Sequence, residues 1–391
     1  MQATSGGGRV ETGGRVDMAR AVPGQGPDDR RALLGLWSIQ GVGPKGIARL
    51  GAELGPLAGL LDVPLASWIH RPRLSPATVR RLTASHETLG SVADQVLERC
   101  ERAGISVCFP ADAAWPPGLR GRDDLPPLLF HRGPATAPGR MVAVVGSRRP
   151  EPAVLLNARR FVARLARGGA GIVSGAALGV DQAAHLGALD AGMPTWAFLG
   201  SALDEMDPAQ ARMVPAILEG GGIVYSELPP GVRASRQTFP RRNRLIAGSA
   251  DAVLVLRAGF RSGSLYTAVA ALGFGRPVLA WPGEWDAPLA EGCNRLLRSG
   301  HASVCLEPSD VWRAMGLPGA LEGRPRPPAS WADEVSASAR RTYAVLERAP
   351  HGYEELLAKA GLSSAALSAT LCELELQGLV IQHPGRRYQK V

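Results

Sequence analysis

Aromatic residues are scarce in this sequence: Phe, Trp and Tyr together make up 5% of its 391 residues. A continuous platform of stacked rings is therefore not expected as its main binding device. The five cysteines, Cys100, Cys108, Cys293, Cys305 and Cys372, are odd in number and scattered, without C-x-x-C spacing. That argues against a disulfide framework and fits a reducing cytoplasm. The N-terminus has no apolar signal core, and charged, Gly or Pro residues interrupt every apolar run before it reaches membrane-spanning length. A soluble cytoplasmic protein is the expectation. Neither G-x-x-x-x-G-K-[ST] nor G-x-G-x-x-G occurs, which sets aside P-loop ATP hydrolysis and weakens a dinucleotide role.

With 45% hydrophobic residues the chain has material for a sizeable core and room for two or three domains. The formal net charge is +9, much of the excess being arginine, which favours a polyanionic partner. Residues 1–30 are rich in Gly and small polar residues and read as a disordered tail. A Pro/Gly-rich stretch at 317–334 reads as a linker. Three blocks remain.

Residues 31–100 have apolar residues at helical spacing around IQGVGPKG, Ile39 to Gly46. Gly41 and Gly43, with Lys45 nearby, suit a helix-hairpin-helix turn whose N–H groups hold a phosphate, a possible secondary DNA contact. They equally suit a tight turn between two packed helices. Residues 101–316 alternate short apolar runs with helical patterns: MVAVVG (141–146), GIVS (171–174), TWAFLG (195–200), GIVYSE (222–227), DAVLVLRA (251–258), RPVLAWPG (276–283) and ASVCLEP (302–308). This pattern predicts an α/β doubly wound, mostly parallel sheet, with ligands at the carboxyl ends of its strands. Residues 335–391 read as three helices and a terminal hairpin, a winged-helix pattern in which Ser363 or Ser364 caps the second helix. The recognition helix carries Glu373 and Glu375 and no Arg or Lys, so a protein contact or a structural cap is the better reading. The wing residues Arg386, Arg387 and Lys390, with Tyr388, remain candidate phosphate or partner contacts.

The chemistry gathers where strands end. Gly146-Ser147-Arg148 follows the first run, Ser174-Gly175 with Gly179 the second, and Ser262-Gly263-Ser264 comes shortly after DAVLVLRA. Such turns aim backbone N–H groups at an anion. FPRRNR (239–244) places Arg241, Arg242, Asn243 and Arg244 behind Pro240, a residue suited to open a helix. Cations there oppose the helix dipole by about 0.3–1 kcal/mol each where exposed. External phosphate is the expected compensation. Asp181 and His185, four apart on one helix face, are expected to form a buried hydrogen bond anchoring the GAALGVD loop rather than a metal site. Glu227, at a strand end, is a lone carboxylate that defines no reaction.

From about 109 to 308 the sequence closely resembles the DNA-processing protein A family (DprA, also called Smf). The resemblance rests on AAWPPGLRGRDDLPPLLFHRG (113–133), VAVVGSRRP, IVSGAALGVDQAAHLGALDAGMPT (172–195), FPRRNRLIAGSADAVLV (239–255), SGSLYTA (262–268), GRPVLAWPG (275–283) and EGCNRLL (291–297). It implies an extended Rossmann-like sheet flanked by an N-terminal helical, SAM-like domain and a C-terminal winged helix. It also implies single-stranded DNA held at Gly146, Ser147, Arg148 and at Arg241, Arg242, Asn243, Arg244, without catalysis or cofactor. A homodimer through the sheet domain is implied, with Leu296 to Trp312 as a location for the interface. So is delivery of the strand to a RecA-type recombinase past single-strand-binding protein, during natural transformation or recombination. The sequence departs from the family at Arg257, where a glutamate is usual, and at Asp207-Pro208, where YP is usual, with Arg212 the nearest following base. Arg257 either adds charge or marks a rearranged salt bridge. The alternative is a phosphoribohydrolase acting on nucleoside monophosphates. Its PGG-x-GT-type turn and glutamate are replaced here by SGSLYTA and Arg257.

Overall fold

The computed structural model describes residues 26–70, 87–317 and 335–390, apart from Gln40, Gly55, Asp123, 135–138, Arg348, Gly378 and Pro384. Most of the expected tail and linker lies outside the described residues. The described chain divides into two compact units, one up to Ala320 and one from Leu321.

The first helix, α1 (Pro27–Ser38), starts inside the segment expected to be tail. Pro27 opens it, and Asp28 and Asp29 complement the dipole of its first turn. Gly41, at φ 99°, turns the chain into α2 (Pro44–Leu54). Gly43 closes that turn by accepting from Ile47 N–H at 3.0 Å. Val42 and Ile47 are buried beneath it. Helix α3 (Leu89–Arg102) begins at a reciprocal Thr88–Ser91 capping box.

The sheet is formed by β1 (Ser106–Cys108), β2 (Leu129–Arg132), β3 (Arg140–Val145), β4 (Ala170–Ser174), β5 (Thr195–Leu199), β6 (Ile223–Ser226), β7 (Ala252–Val255), β8 (Val278–Ala280) and β9 (Ser303–Val304). Its order is β1-β2-β6-β5-β4-β3-β7-β8-β9. From β6 to β9 all pairings are parallel, while β2 pairs antiparallel with β6 and with β1. The seven apolar runs thus become β3 to β9, and β1 and β2 extend the sheet at the β6 side. Helices α4 (Pro152–Arg167), α5 (Val180–Asp190), α6 (Pro208–Glu219), α7 (Thr238–Ser249), α8 (Ser264–Gly273), α9 (Glu291–Arg298) and α10 (Pro308–Ala314) complete the unit.

Alternation along β3 shows how both faces are covered. Met141, Ala143 and Val145 pack with Leu245, Ile246 and Ala247 of α7, whereas Val142 and Val144 pack with Val162 and Leu165 of α4 and Ala184 of α5. Strand order reverses at β3: β4, β5 and β6 follow on one side, β7, β8 and β9 on the other. A crevice is expected beyond the carboxyl ends of β3 and β7.

A third cluster joins Leu33, Leu36, Trp37 and Leu50 of the N-terminal helices to Phe130, Leu199 and Val224 of the sheet and Ile217 of α6. Blocks 31–100 and 101–316 therefore share a core. Truncating the fully buried Leu36 to Ala should cost about 2–5 kcal/mol. In urea titrations of the variant, circular dichroism and Trp fluorescence should shift together; an early transition confined to the N-terminal helices would contradict a shared core.

The second unit contains α11 (Ala337–Val345), β10 (His351–Gly352), α12 (Tyr353–Ala360), α13 (Ser364–Leu376), β11 (Val380–His383) and β12 (Arg387–Lys390), with sheet order β10-β12-β11. Ser363 caps α13 through Ala366 N–H, as its position predicts, and Gly361 ends α12 in the left-handed region. This is the winged helix that the pattern implied.

Candidate nucleic-acid interface

Beyond the carboxyl ends of β3 and β7 lies a pocket of about 600 Å³. Gly146, Ser147 and Arg148 form one wall, Ser262, Gly263 and Ser264 another, and Arg242 and Asn243 of α7 lie between. Asp181, Arg236, Phe239, Arg261 and Tyr266 also line it.

The Gly146–Arg148 loop is pinned on both sides. Ser147 N–H donates to Arg257 O at 2.6 Å, and Ser147 O accepts from Val180 N–H at 3.1 Å. Gly146 has no room for a side chain, because a Cβ would stand 2.7 Å from Val180 Cγ2 and 3.0 Å from Arg257 O. Gly179, at φ 88°, starts α5 with its Cα so close that a Cβ would meet Ser147 O at 2.3 Å. On the other wall the hydroxyls of Ser262 and Ser264 are 2.7 Å apart. Asn243 Nδ2 donates to Gly263 O at 3.0 Å, tying α7 to the turn that opens α8.

The arginines of FPRRNR behave differently from one another. Pro240 is the third residue of α7 rather than the first, so Arg241, Arg242 and Arg244 follow the opening turn. Arg242 is buried: Nη1 donates to Gly175 O at 2.7 Å and Phe198 O at 2.5 Å, and Nε to Asn243 Oδ1 at 3.0 Å. Burial lowers its pKa to about 10, partly opposed by Asp181, and leaves it charged at neutral pH. Arg244 turns to the other side of the helix, where Nη2 bonds Glu227 Oε2 at 2.6 Å and Nη1 bonds Asp124 O at 2.9 Å. Burial lowers its pKa too, against the pull of Glu227. Arg241, half-exposed, stands 3.8 Å from the same carboxylate. The expectation that external phosphate alone compensates this cluster is thus corrected: a buried carboxylate and main-chain carbonyls satisfy much of it.

Other sequence candidates lie behind the surface. Ser174 is buried with its hydroxyl on Val144 O at 2.6 Å, and Gly175 packs directly on the Arg242 guanidinium. Asp181 and His185 both anchor the GAALGVD loop, but separately. Asp181 is buried, with the Arg242 guanidinium and the Ala177 amide favouring its charged form. His185 Nε2 accepts from Ala176 N–H at 3.3 Å, and its Nδ1 lies 2.9 Å from Thr195 Oγ1. Burial raises the Asp181 pKa and lowers that of His185 to about 3. Arg257 pairs with Glu151 at 2.9 Å and Glu284 at 3.3 Å, so its departure marks a rearranged salt bridge and not a free charge. Asp207 caps α6 by accepting from Ala209 and Gln210 N–H.

What the motifs missed are Arg236 and Arg261. Among the described residues neither these two nor Arg148 forms a salt bridge; Arg148 shares the pocket with Asp181, whose charge it stabilises, and its guanidinium lies 4.7 Å from the Phe239 ring centroid. Their only signal was adjacency: Arg236 precedes FPRRNR and Arg261 precedes the serine turn. Among the described residues, no group of three or more His, Cys, Asp or Glu side chains is placed to hold a metal ion, and no helix is long and apolar enough to cross a membrane. In the second unit the wing cations fold back: Arg386 lies 4.0 Å from the Tyr353 ring centroid, Lys390 4.1 Å from that of Tyr343, and Arg387 bonds Pro350 O. Tyr388 is buried, which corrects its reading as a surface contact. Glu373 accepts from the Ser336 amide and hydroxyl at the start of α11.

Fold and site together define a Rossmann-like domain with a cationic crevice at its switch point, followed by a winged helix. The family model of DNA recombination-mediator protein A matches residues 106–316, and the DprA winged-helix model matches 325–386. The chain belongs to this DprA/Smf family. The putative DNA processing protein DprA of Mycobacterium tuberculosis is 35% identical over 78% of this chain and 82% of its own. Protein Smf of Synechocystis is 29% identical over 90% of this chain and 97% of its own. The solved structure of DNA processing protein A from Streptococcus pneumoniae superposes with a TM-score of 0.59 at 28% identity, covering 73% of this chain and 97% of that one.

Two predictions separate bracing from binding. Arg242→Ala leaves buried carbonyls without their charged donor and should cost about 2–4 kcal/mol in urea unfolding, whereas Arg148→Ala, an exposed change, should stay within about 0.5 kcal/mol. Equal losses would contradict the assignment. Between about pH 6.5 and 3 the unfolded chain binds a proton at His185 that the native state refuses, so stability falls as pH drops through that window. His185→Gln should flatten this part of the profile relative to the unsubstituted chain, measured by urea midpoints at pH 7 and pH 5.

Proposed function

We propose that the pocket holds the phosphate backbone of single-stranded DNA, and that the protein hands this strand to a RecA-type recombinase past single-strand-binding protein, in natural transformation or recombination. The observation that carries the reading is a crevice between two glycine-serine turns lined by three arginines, Arg148, Arg236 and Arg261, that form no salt bridge among the described residues, with Asp181 the one acidic residue in its lining. Guanidinium forks bond phosphate oxygens in pairs, and loop N–H groups add fixed donors. Family membership supports a DNA-processing role. Gly146, Ser147, Arg148, Asn243, Ser262, Gly263 and Ser264 face the strand. Arg242 acts from below, while Ser174, Gly175, Gly179 and Arg244 shape the loops, and half-exposed Arg241 extends the cationic surface. Gly41, Gly43 and Lys45 form a secondary contact. The chain works without catalysis or cofactor in the cytoplasm as a homodimer, whose apolar contact includes the exposed Val304 and Leu306 at the β9 edge.

If about five phosphates are neutralised, log affinity for an oligonucleotide falls with log salt at a slope near about −3.5. Arg148→Ala should weaken binding of all sequences alike and make the slope shallower by about 0.7. Fluorescence-anisotropy titrations of the full chain at several salt concentrations test both; a flat response would remove the phosphate reading. Release of free base from nucleoside monophosphates would favour the phosphoribohydrolase alternative instead.

A further inference from the structure

The geometry points to a nucleobase-stacking subsite at the rim of this pocket, with Tyr266 as its platform; the inference rests on the single-strand reading above. Tyr266 follows the Ser262–Ser264 turn in the first turn of α8, lines the pocket, and is 60% exposed. The sequence has five tyrosines. Tyr225 donates to Ala114 O, Tyr353 to Ser364 O, Tyr388 is buried, and Tyr343 lies under Lys390. Among the described residues the Tyr266 side chain has neither a hydrogen-bond partner nor a ring contact, only its amide donating to Gly263 O at 3.2 Å.

An exposed ring beside arginines is matched to a ligand with both an anionic and a planar apolar part. A nucleotide within a strand has that chemistry: Arg148 and Arg261 take phosphate, and the adjoining base swings onto the Tyr266 face. Leu289 adds apolar surface to the same pocket wall. Every base has a π-face, so one ring adds affinity without selecting sequence. Being uncharged, it also adds a part that salt does not screen.

The full chain and its Tyr266→Ala and Tyr266→Phe variants are titrated with a labelled thymidine oligomer and with an abasic oligomer of equal length. Tyr266→Ala should weaken thymidine-oligomer binding about 5- to 100-fold, change abasic binding less than about twofold, and leave the salt slope unaltered. Tyr266→Phe should bind as the unsubstituted chain does, and both variants should keep its melting temperature. An equal loss on both oligomers, or no loss on thymidine, overturns the subsite while leaving the phosphate reading in place. Failure of the unsubstituted chain to bind either oligomer would instead overturn the single-strand reading, and the subsite with it.

Discussion

The site depends first on the buried guanidinium of Arg242. It bonds the carbonyls that follow β4 and end β5, while its neighbour Asn243 bonds the carbonyl of Gly263 in the turn that opens α8. One turn of α7 thus gathers three loops that a parallel sheet would otherwise leave independent. A charge in that position is tolerated because carbonyl dipoles surround it and Asp181 lies near. Lysine, with one compact ammonium, cannot reach both carbonyls and the asparagine side chain in the same planar arrangement.

Around that brace the arginines divide their work. Glu227, at the end of β6, takes Arg244 directly and draws Arg241, and its own carbonyl accepts from Trp37 of α1 at 2.7 Å. The N-terminal helices are therefore fastened to the residue that orients one side of α7. On the opposite side Arg148, Arg236 and Arg261 face the crevice with no carboxylate partner among the described residues. Positive potential is thus concentrated where the loops open, not spread evenly over the arginine-rich motif.

Much of this was legible in the sequence. Apolar runs with helices between them predicted the parallel sheet, and glycine-ended strands placed the ligand edge, because burial on both faces and sharp turns leave compositional marks. Glu227, a lone carboxylate in the sequence, is the partner of two of the motif's arginines: pairing between a strand end and a helix, 17 residues apart for Arg244, has no local signature. The start of α1 was missed because composition outweighed the Gly-Pro-Asp-Asp signal for a helix start. Helical spacing puts Asp181 and His185 on one face and suggests a pair, yet His185 bonds the Ala176 amide and Thr195, and Asp181 is stabilised by Arg242 and the Ala177 amide.

The winged helix shows why counting cations does not locate a binding surface. Arg386 and Lys390 lie over tyrosine rings of their own unit and Arg387 bonds a backbone carbonyl, so moving any of them onto a phosphate gives up an existing contact. Glu373 is spent on the start of α11, and it adds negative charge to the helix that would enter a groove. The crevice at β3 and β7 differs on the first count, since among the described residues Arg236 and Arg261 have no such partner to leave. Unpaired cations, not their number, therefore distinguish the crevice of the sheet unit from the wing.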